Sequence, residues 1–168
     1  VNRIAKWDGA SWSALGTGMN GNVLSLTVIG TDLYAGGGFT TAGGVTVNRI
    51  AKWNGTVWSA LGTGMDNQVQ AITSIGTDLY ATGWFTTAGG VTVNRIAKWN
   101  GTVWSALGTG FDNTAHSITA IGTDLYVGGG FNTAGGISAN RIAKWNGTTW
   151  SALGTGMNST VNALAVIG

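Results

Sequence analysis

Residues 1–46 and 47–92 are identical at 34 of 46 aligned positions, and residues 47–92 match residues 93–138 equally well. A fourth copy starts at Ala139 and runs for 30 residues. Internal repetition of this strength overrides any local reading, because each copy has to adopt one structure that fits against itself. The period divides one repeat region, residues 1–168, into units 1–46, 47–92, 93–138 and an incomplete 139–168.

Within a unit, residues 48–53 (Asn-Arg-Ile-Ala-Lys-Trp) lead through Asn54-Gly55 into residues 56–61 (Thr-Val-Trp-Ser-Ala-Leu). Two β-rich runs flanking Asn-Gly predict a hairpin with a type I′ turn, whose central residues both need positive φ. Trp53 and Trp58 then sit on paired strands, where large aromatics bridge neighbouring sheets. The apolar run 69–75 follows, then Gly-Thr-Asp at 76–78, a Leu79-Tyr80-Ala81 strand ending near Gly83, and a Thr-Thr-Ala-Gly-Gly-Val loop at 86–91. No segment has helical periodicity. Four short strands in about 46 residues cannot bury both faces of one sheet, so successive units stack face to face. The expected fold is all-β: a β-propeller of four-stranded antiparallel blades, with about four blade equivalents in the chain. All four tryptophan pairs, from Trp7 with Trp12 to Trp145 with Trp150, are expected to be mostly buried between blades.

This order resembles the kelch-like propeller family: Leu33-Tyr34 followed by Gly36-Gly37, then a third strand bearing Trp7 and an outer strand bearing Trp12 in the preceding unit. The wording of the repeat is also similar to NRIAKWDG, SALGTGM and LYVGGxFTTAGG arrays of secreted bacterial proteins and a fungal cortical-marker family. The resemblance implies a propeller in an extracellular or cell-surface setting. It carries little about activity, since propellers host many unrelated functions. With the 69–75 type of segment as inner strand, the chain supplies strands three and four of one blade, three complete blades and a further inner strand over residues 160–167. Four blades make a tight ring. A longer parent chain, or self-association into a ring of about six to eight blades, is therefore expected, since unfinished blades leave edges open to pairing.

Charge narrows the function classes. Asp, Glu, Lys and Arg make up 8% of the chain, against about 25% in ordinary soluble domains. The net charge of +2 is spread along the units rather than gathered, which gives no footprint for nucleic acid. No run approaches the length of an apolar membrane span. There is no cysteine, so thiol chemistry and disulfides are excluded. His116 is the only histidine and stands apart from any ligand spacing, so no metal or other cofactor is expected. There is no Glu, and Asp32, Asp78 and Asp124 recur with the repeat in Gly-Thr-Asp-Leu-Tyr. They read as turn carboxylates that bond nearby amides, and no catalytic pair is expected. Asn54, Asn100, Asn146 and Asn158 match the glycosylation sequon, the first three as turn residues.

Positions that differ between copies are those the architecture leaves free. They gather after Gly-Thr-Gly: Met-Asn-Gly-Asn at 19–22, Met-Asp-Asn-Gln at 65–68, Phe-Asp-Asn-Thr at 111–114 and Met-Asn-Ser-Thr at 157–160. Thr82 and Trp84 also break the pattern where other copies carry Gly36 and Gly38, or Gly128 and Gly130. In a kelch-like blade these places share one face. The candidate ligand-binding set is therefore Trp84 with Asp66, Asn67, Asp112 and Asn113. Trp84 would stack on a flat sugar or peptide face, or else fill a gap against a neighbouring blade. The expected function is a non-catalytic extracellular repeat scaffold or interaction module for a protein ligand, the alternative a lectin-like propeller for carbohydrate.

Overall fold

In the computed structural model, which describes residues 1–167, Trp53 and Trp58 pair directly across a hairpin of Ile50–Trp53 and Trp58–Ala60. Their ring centroids lie 5.3 Å apart. The loop between them is not the expected type I′ turn. It holds the four residues 54–57, with Gly55 at φ 97° and Asn54 outside the left-handed region. Asn54 Oδ1 accepts the amide N–H groups of Thr56 and Val57, both at 2.9 Å. A side chain that imitates a backbone turn thus removes the need for a second left-handed residue. Asn100 and Asn146 repeat the arrangement.

The unit does contain four-stranded antiparallel sheets. The first blade is Val23–Ile29, Asp32–Gly37, Ile50–Trp53 and Trp58–Ala60, each strand bonded to the next in that order. Val69–Ile75, Asp78–Gly83, Ile96–Trp99 and Trp104–Ala106 form the second. Ala115–Ile121, Asp124–Gly129, Ile142–Trp145 and Trp150–Ala152 form the third. Ahead of them, Ala5–Trp7 and Trp12–Ala14 make a two-stranded hairpin. These are propeller-like blades, and no helix occurs among the described residues.

Three local expectations are corrected. Strands three begin at Ile50 and Ile96 rather than at the Asn-Arg before them, because Asn48, Arg49, Asn94 and Arg95 all have positive φ. Side-chain bonds hold that bend: Asn48 Nδ2 donates to the Thr63 carbonyl at 2.9 Å and Arg49 to the Met65 carbonyl at 3.3 Å. The segment 86–91 is not a plain loop, since Thr87–Ala88 pairs with Val91–Thr92 across Gly89 and Gly90, at φ 59° and 84°. Two consecutive left-handed residues are what a tight two-residue hairpin requires, and glycine supplies them without steric cost. Finally, residues 160–167 form no strand, although the start of the segment meets the third blade, where the Val161 N–H donates to the Gly129 carbonyl at 3.1 Å.

The apolar core lies between blades rather than inside them. One cluster joins the N-terminal hairpin to the first blade through Ile4, Leu15, Phe39, Val47 and Trp58. The next joins first to second blade and a third joins second to third, with Tyr34 and Ile50, then Tyr80 and Ile96, crossing the seams. Across each seam an indole makes a directed bond. Trp58 Nε1 donates to the Leu15 carbonyl, Trp104 to Leu61 and Trp150 to Leu107, each at 2.9 Å and buried. The second tryptophan of a pair is therefore a blade-packing residue wherever a preceding blade stands beside it. Trp58 is 3% exposed, but Trp12 is 67% and Trp7 49% exposed. The expectation that all four pairs are buried fails at the first, because burial comes from the neighbouring unit and not from the hairpin.

Replacing Trp104 by Phe keeps most of the apolar surface but removes the donor and leaves the Leu61 carbonyl unpaired in a buried seam. The expected loss is about 1–3 kcal/mol. Trp12→Phe, at the open edge, should cost less than about 0.5 kcal/mol. Urea unfolding of both variants checks this, and equal losses would refute the seam assignment.

Candidate functional site

The face reached by the second strand of the second blade carries the residues that break the repeat. Trp84 follows Asp78–Gly83, and its N–H donates to the Gln68 carbonyl at 2.9 Å. Gly38 makes the same bond to Asn22 and Gly130 to Thr114, both at 2.8 Å. The backbone thus follows the same path with or without a side chain, and neither glycine has the positive φ that would require one. A side chain at Gly38 would point toward the Gln68 amide of the next blade, about 3.7 Å from its Cβ. Trp84 projects from the equivalent place and is 51% exposed. The neighbouring blade does not bury it, so the gap-filling alternative is set aside.

Thr82 has a separate explanation. A Cβ placed on Gly36 would come within 2.6 Å of Val69 Cγ1 in the next blade, and one on Gly128 would collide with Val161 in the same way. The residue facing Thr82 by the same step of 46 is Ala115, and both are fully buried. Glycine opposes valine at two seams and threonine opposes alanine at the third, which keeps the seam volume nearly constant. Thr82 is therefore a packing residue, and its change is not coupled to that of Trp84.

The polar candidates are occupied within the chain, the two Asp residues by a loop about twenty residues on and the two Asn residues by the next amide. Asp66 Oδ1 accepts the Thr86 and Thr87 amides at 2.9 and 3.0 Å, and Oδ2 accepts the Thr86 hydroxyl at 2.7 Å. Asp112 Oδ1 accepts the Asn132 and Thr133 amides, both at 2.9 Å. Asn67 and Asn113 each accept the next residue's amide, Gln68 or Thr114, at 2.8 Å. Partial burial opposes ionisation of Asp66, but the bonds from Thr86 and Thr87 outweigh it and lower its pKa below the usual carboxylate value. Asp112 is lowered too, burial again opposing and the Thr133 and Asn132 amides prevailing. Trp84 is tied to Gln68 by its backbone N–H, while the 46-residue step that relates Gly38 and Gln68 to Trp84 and Thr114 directs its side chain toward the next blade's loop, which carries Asp112 and Asn113. Gln68 was not in the predicted set, although its variation among the copies as Asn22, Thr114 and Thr160 was visible.

The repeated Asp residues do not cap their turns as expected. Asp32 pairs with Lys52 at 2.9 Å, Asp78 with Lys98 and Asp124 with Lys144 at 2.6 Å, each across adjacent strands. The hydrogen bond that Lys52 Nζ donates to the Asp32 carboxylate is the main cause of a raised Lys52 pKa. His116 lies half-buried on the first strand of the third blade. Among the described residues no group of three or more His, Cys, Asp or Glu side chains is gathered at metal-binding distance.

No protein-family model matches the chain, and no curated protein matches it. Among solved structures it is similar to the computationally designed Ika4 protein, with a TM-score of 0.61 at 12% identity over 91% of this chain and 84% of that one. It is also similar to the computationally designed Ika8 protein, with a TM-score of 0.58 at 14% identity, covering 91% of this chain and 42% of Ika8. The chain thus spans well under half the length of Ika8. Likeness at such identity concerns the fold alone.

Two measurements check the local assignments. Ala115→Val should destabilise by about 1–3 kcal/mol by overpacking against Thr82, and adding Thr82→Gly should restore most of the loss; purely additive effects would break the pairing. Because the folded-state pKa of Asp66 is depressed, its contribution is complete above the unfolded value of about 3.9 and is lost as pH falls through the folded value. Asp66→Asn imitates Asn20, which bonds Thr40 and Thr41 in the same geometry. The variant should match the parent thermal midpoint at neutral pH and lose less of it on acidification to about pH 3.

Proposed function

We propose that this chain is a non-catalytic repeat scaffold, an extracellular interaction module that offers a partner or ligand one face of its stacked blades. The observation that carries this reading is how the polar side chains of the variable loops are used. Asp66, Asn67, Asp112 and Asn113 all accept hydrogen bonds from backbone amides of the same chain, those of Thr86, Gln68, Asn132 and Thr114. A general base or nucleophile needs a lone pair aimed at a substrate and a second group to orient it. The repeated Asp residues are taken up by lysines. The extracellular setting rests on the resemblance to secreted repeat arrays.

The lectin-like reading keeps one supporting observation, the half-exposed indole of Trp84, which the repeat step directs toward the next blade's polar loop of Asp112, Asn113 and Thr114. An aromatic plane flanked by amides is the ordinary composition of a polar-ligand pocket. The two readings differ in what Trp84 receives. Titration of the parent and Trp84→Gly against a glycan panel, followed by tryptophan emission, separates them. On the scaffold reading neither protein binds a glycan, and the variant unfolds within about 0.5 kcal/mol of the parent, as an exposed substitution should. A glycan bound by the parent and lost in Trp84→Gly would replace the scaffold with the lectin.

A further inference from the structure

The polar rim of the second unit holds a cavity whose hydrogen-bonding capacity is unevenly spent. It measures about 320 Å³ and lies between the Asn48-Arg49 bend, the loop from Thr63 to Asp66, and Thr87 and Gly90 of the short hairpin. Every residue that lines it belongs to the unit 47–92, so the cavity is formed within one repeat. The first unit has a cavity of about 350 Å³ at the equivalent positions, with Asn20 where the second has Asp66. We propose that the rim cavity of the second unit, and its counterpart in the third, is a carboxylate-binding site in which the guanidinium of Arg49 or Arg95 receives a carboxylate presented by a peptide partner. The inference deepens the scaffold reading and rests on it, since it names what a partner brings to the rim.

The acceptors around the cavity are already engaged. The Asn48 carbonyl accepts the Met65 N–H at 3.0 Å, that of Gly64 accepts the Gly89 N–H at 2.8 Å, and that of Thr87 accepts the Asp66 N–H at 3.3 Å. The Thr63 and Met65 carbonyls accept the side chains of Asn48 and Arg49. Asp66 accepts two amides and a hydroxyl from Thr86 and Thr87. The donors are not engaged. Among the described residues the Thr63 and Thr87 hydroxyls and the Gly90 N–H have no partner in the chain. A guanidinium carries several N–H donors in a planar fork, of which Arg49 commits one. Neither Arg49 nor Arg95 is in an ion pair among the described residues.

A cavity with surplus donors takes a ligand rich in acceptors, and a planar carboxylate matches the guanidinium fork with two parallel bonds. A sugar hydroxyl brings a donor of its own, for which the engaged carbonyls leave little to bond. The Asp66 carboxylate shares the cavity, so a singly charged ligand fits it better than a doubly charged phosphate.

The backbone supports the same assignment. Asn48 and Arg49 have φ of 47° and 70°, left-handed conformations that are strained for residues with a Cβ. Arg3, Arg95 and Arg141 repeat it at 65°, 70° and 66°. Glycine holds the nearby left-handed positions 64 and 90 without that strain. A bend alone does not require a permanent charge, and arginine places one at the cavity. In the fourth copy Arg141 is taken up by the Asn132 side chain, so the inference concerns Arg49 and Arg95. The third unit repeats the second: Asn94 donates to the Thr109 carbonyl at 2.9 Å, Arg95 donates to that of Phe111 at 3.1 Å, and Asp112 accepts the Asn132 and Thr133 amides.

The probe is acetyl-Gly-Ala with a free carboxyl terminus, titrated into the intact nitrogen-15-labelled chain and followed by the amide shifts of Gly90 and Gly136. Its C-terminal amide and acetyl-Gly-Glu-amide are titrated beside it. Saturable shifts at both glycines are expected, half-complete at about millimolar free acid, with none from the Ala amide. The glutamate amide separates the sources of the carboxylate: equal shifts admit acidic side chains, and their absence restricts the site to chain ends. Each cavity is the control for the other. Arg49→Lys keeps the charge and loses the fork, and should weaken binding at Gly90 by about tenfold while Gly136 responds as before. Asp66→Asn takes on the Asn20 arrangement and should tighten binding at Gly90 by about threefold, again without effect at Gly136. Equal shifts from the acid and the Ala amide overturn the proposal, as does no saturation by about 20 mM acid. It is equally overturned if Gly90 in Arg49→Lys still responds like Gly136, or if Asp66→Asn leaves the Gly90 affinity unchanged or lower. Should Arg49→Lys fold poorly, Asp66→Asn carries the test, because Asn20 shows that the loop bonds survive the change. Failure here removes the carboxylate site alone, whereas the scaffold reading falls to a glycan that the parent binds and Trp84→Gly does not.

Discussion

The hydrogen bond from an indole N–H to the carbonyl of the preceding unit's leucine organises this molecule. It recurs at Trp58, Trp104 and Trp150 with one length, 2.9 Å, and a constant sequence separation. A buried carbonyl beyond the end of a strand has no ladder partner and would cost free energy if left alone. The indole satisfies it and also supplies a large apolar surface. Close approach is possible because glycine stands beside the ring: a Cβ on Gly43 would lie 2.9 Å from Trp58 Cδ1. Directionality fixes which unit lies next to which and at what offset, something apolar contact alone does not do.

From that seam follows the distribution of freedom. Volume at the interface is nearly conserved, so the pairs Gly36 with Val69 and Thr82 with Ala115 change together while their surroundings stay the same. The paired strands of the outer hairpins, Ala-Lys-Trp and Trp-Ser-Ala, recur unchanged, the tryptophans facing each other and the lysine of each complete blade holding an aspartate. What varies freely is the rim after Gly-Thr-Gly and the position of Trp84. Even there, Asn20 and Asp66 preserve one bonding pattern with and without a charge. Low charge is consistent with this economy, since most of the few carboxylates are in ion pairs or loop bonds.

The same logic makes the first unit different from its copies despite nearly the same sequence. Trp12 and Trp58 are equivalent in sequence and opposite in exposure. Lys6 and Lys52 are equivalent and differ in having an aspartate beside them. In a stacked array the state of a residue is set by its neighbour along the stack, so identical segments behave differently at an edge.

By itself the sequence determined the period of 46, the all-β class, the four-stranded blade and the hairpin that carries the tryptophan pair, because repetition and strand patterning are local properties of the chain. It also marked Trp84 and the loops around Asp66 and Asp112 as the places where copies diverge. It did not determine the turn type at Asn54, the left-handed Asn48 and Arg49, or the pairing of Asp32 with Lys52. Those depend on where a side chain twenty residues away, or a carbonyl across a loop, comes to lie. Tertiary structure alone decided that Trp84 is exposed while Thr82 is buried, and that Trp12 lies open while Trp58 is covered. Burial in a stack is a relation between units, and no single unit's residues encode it.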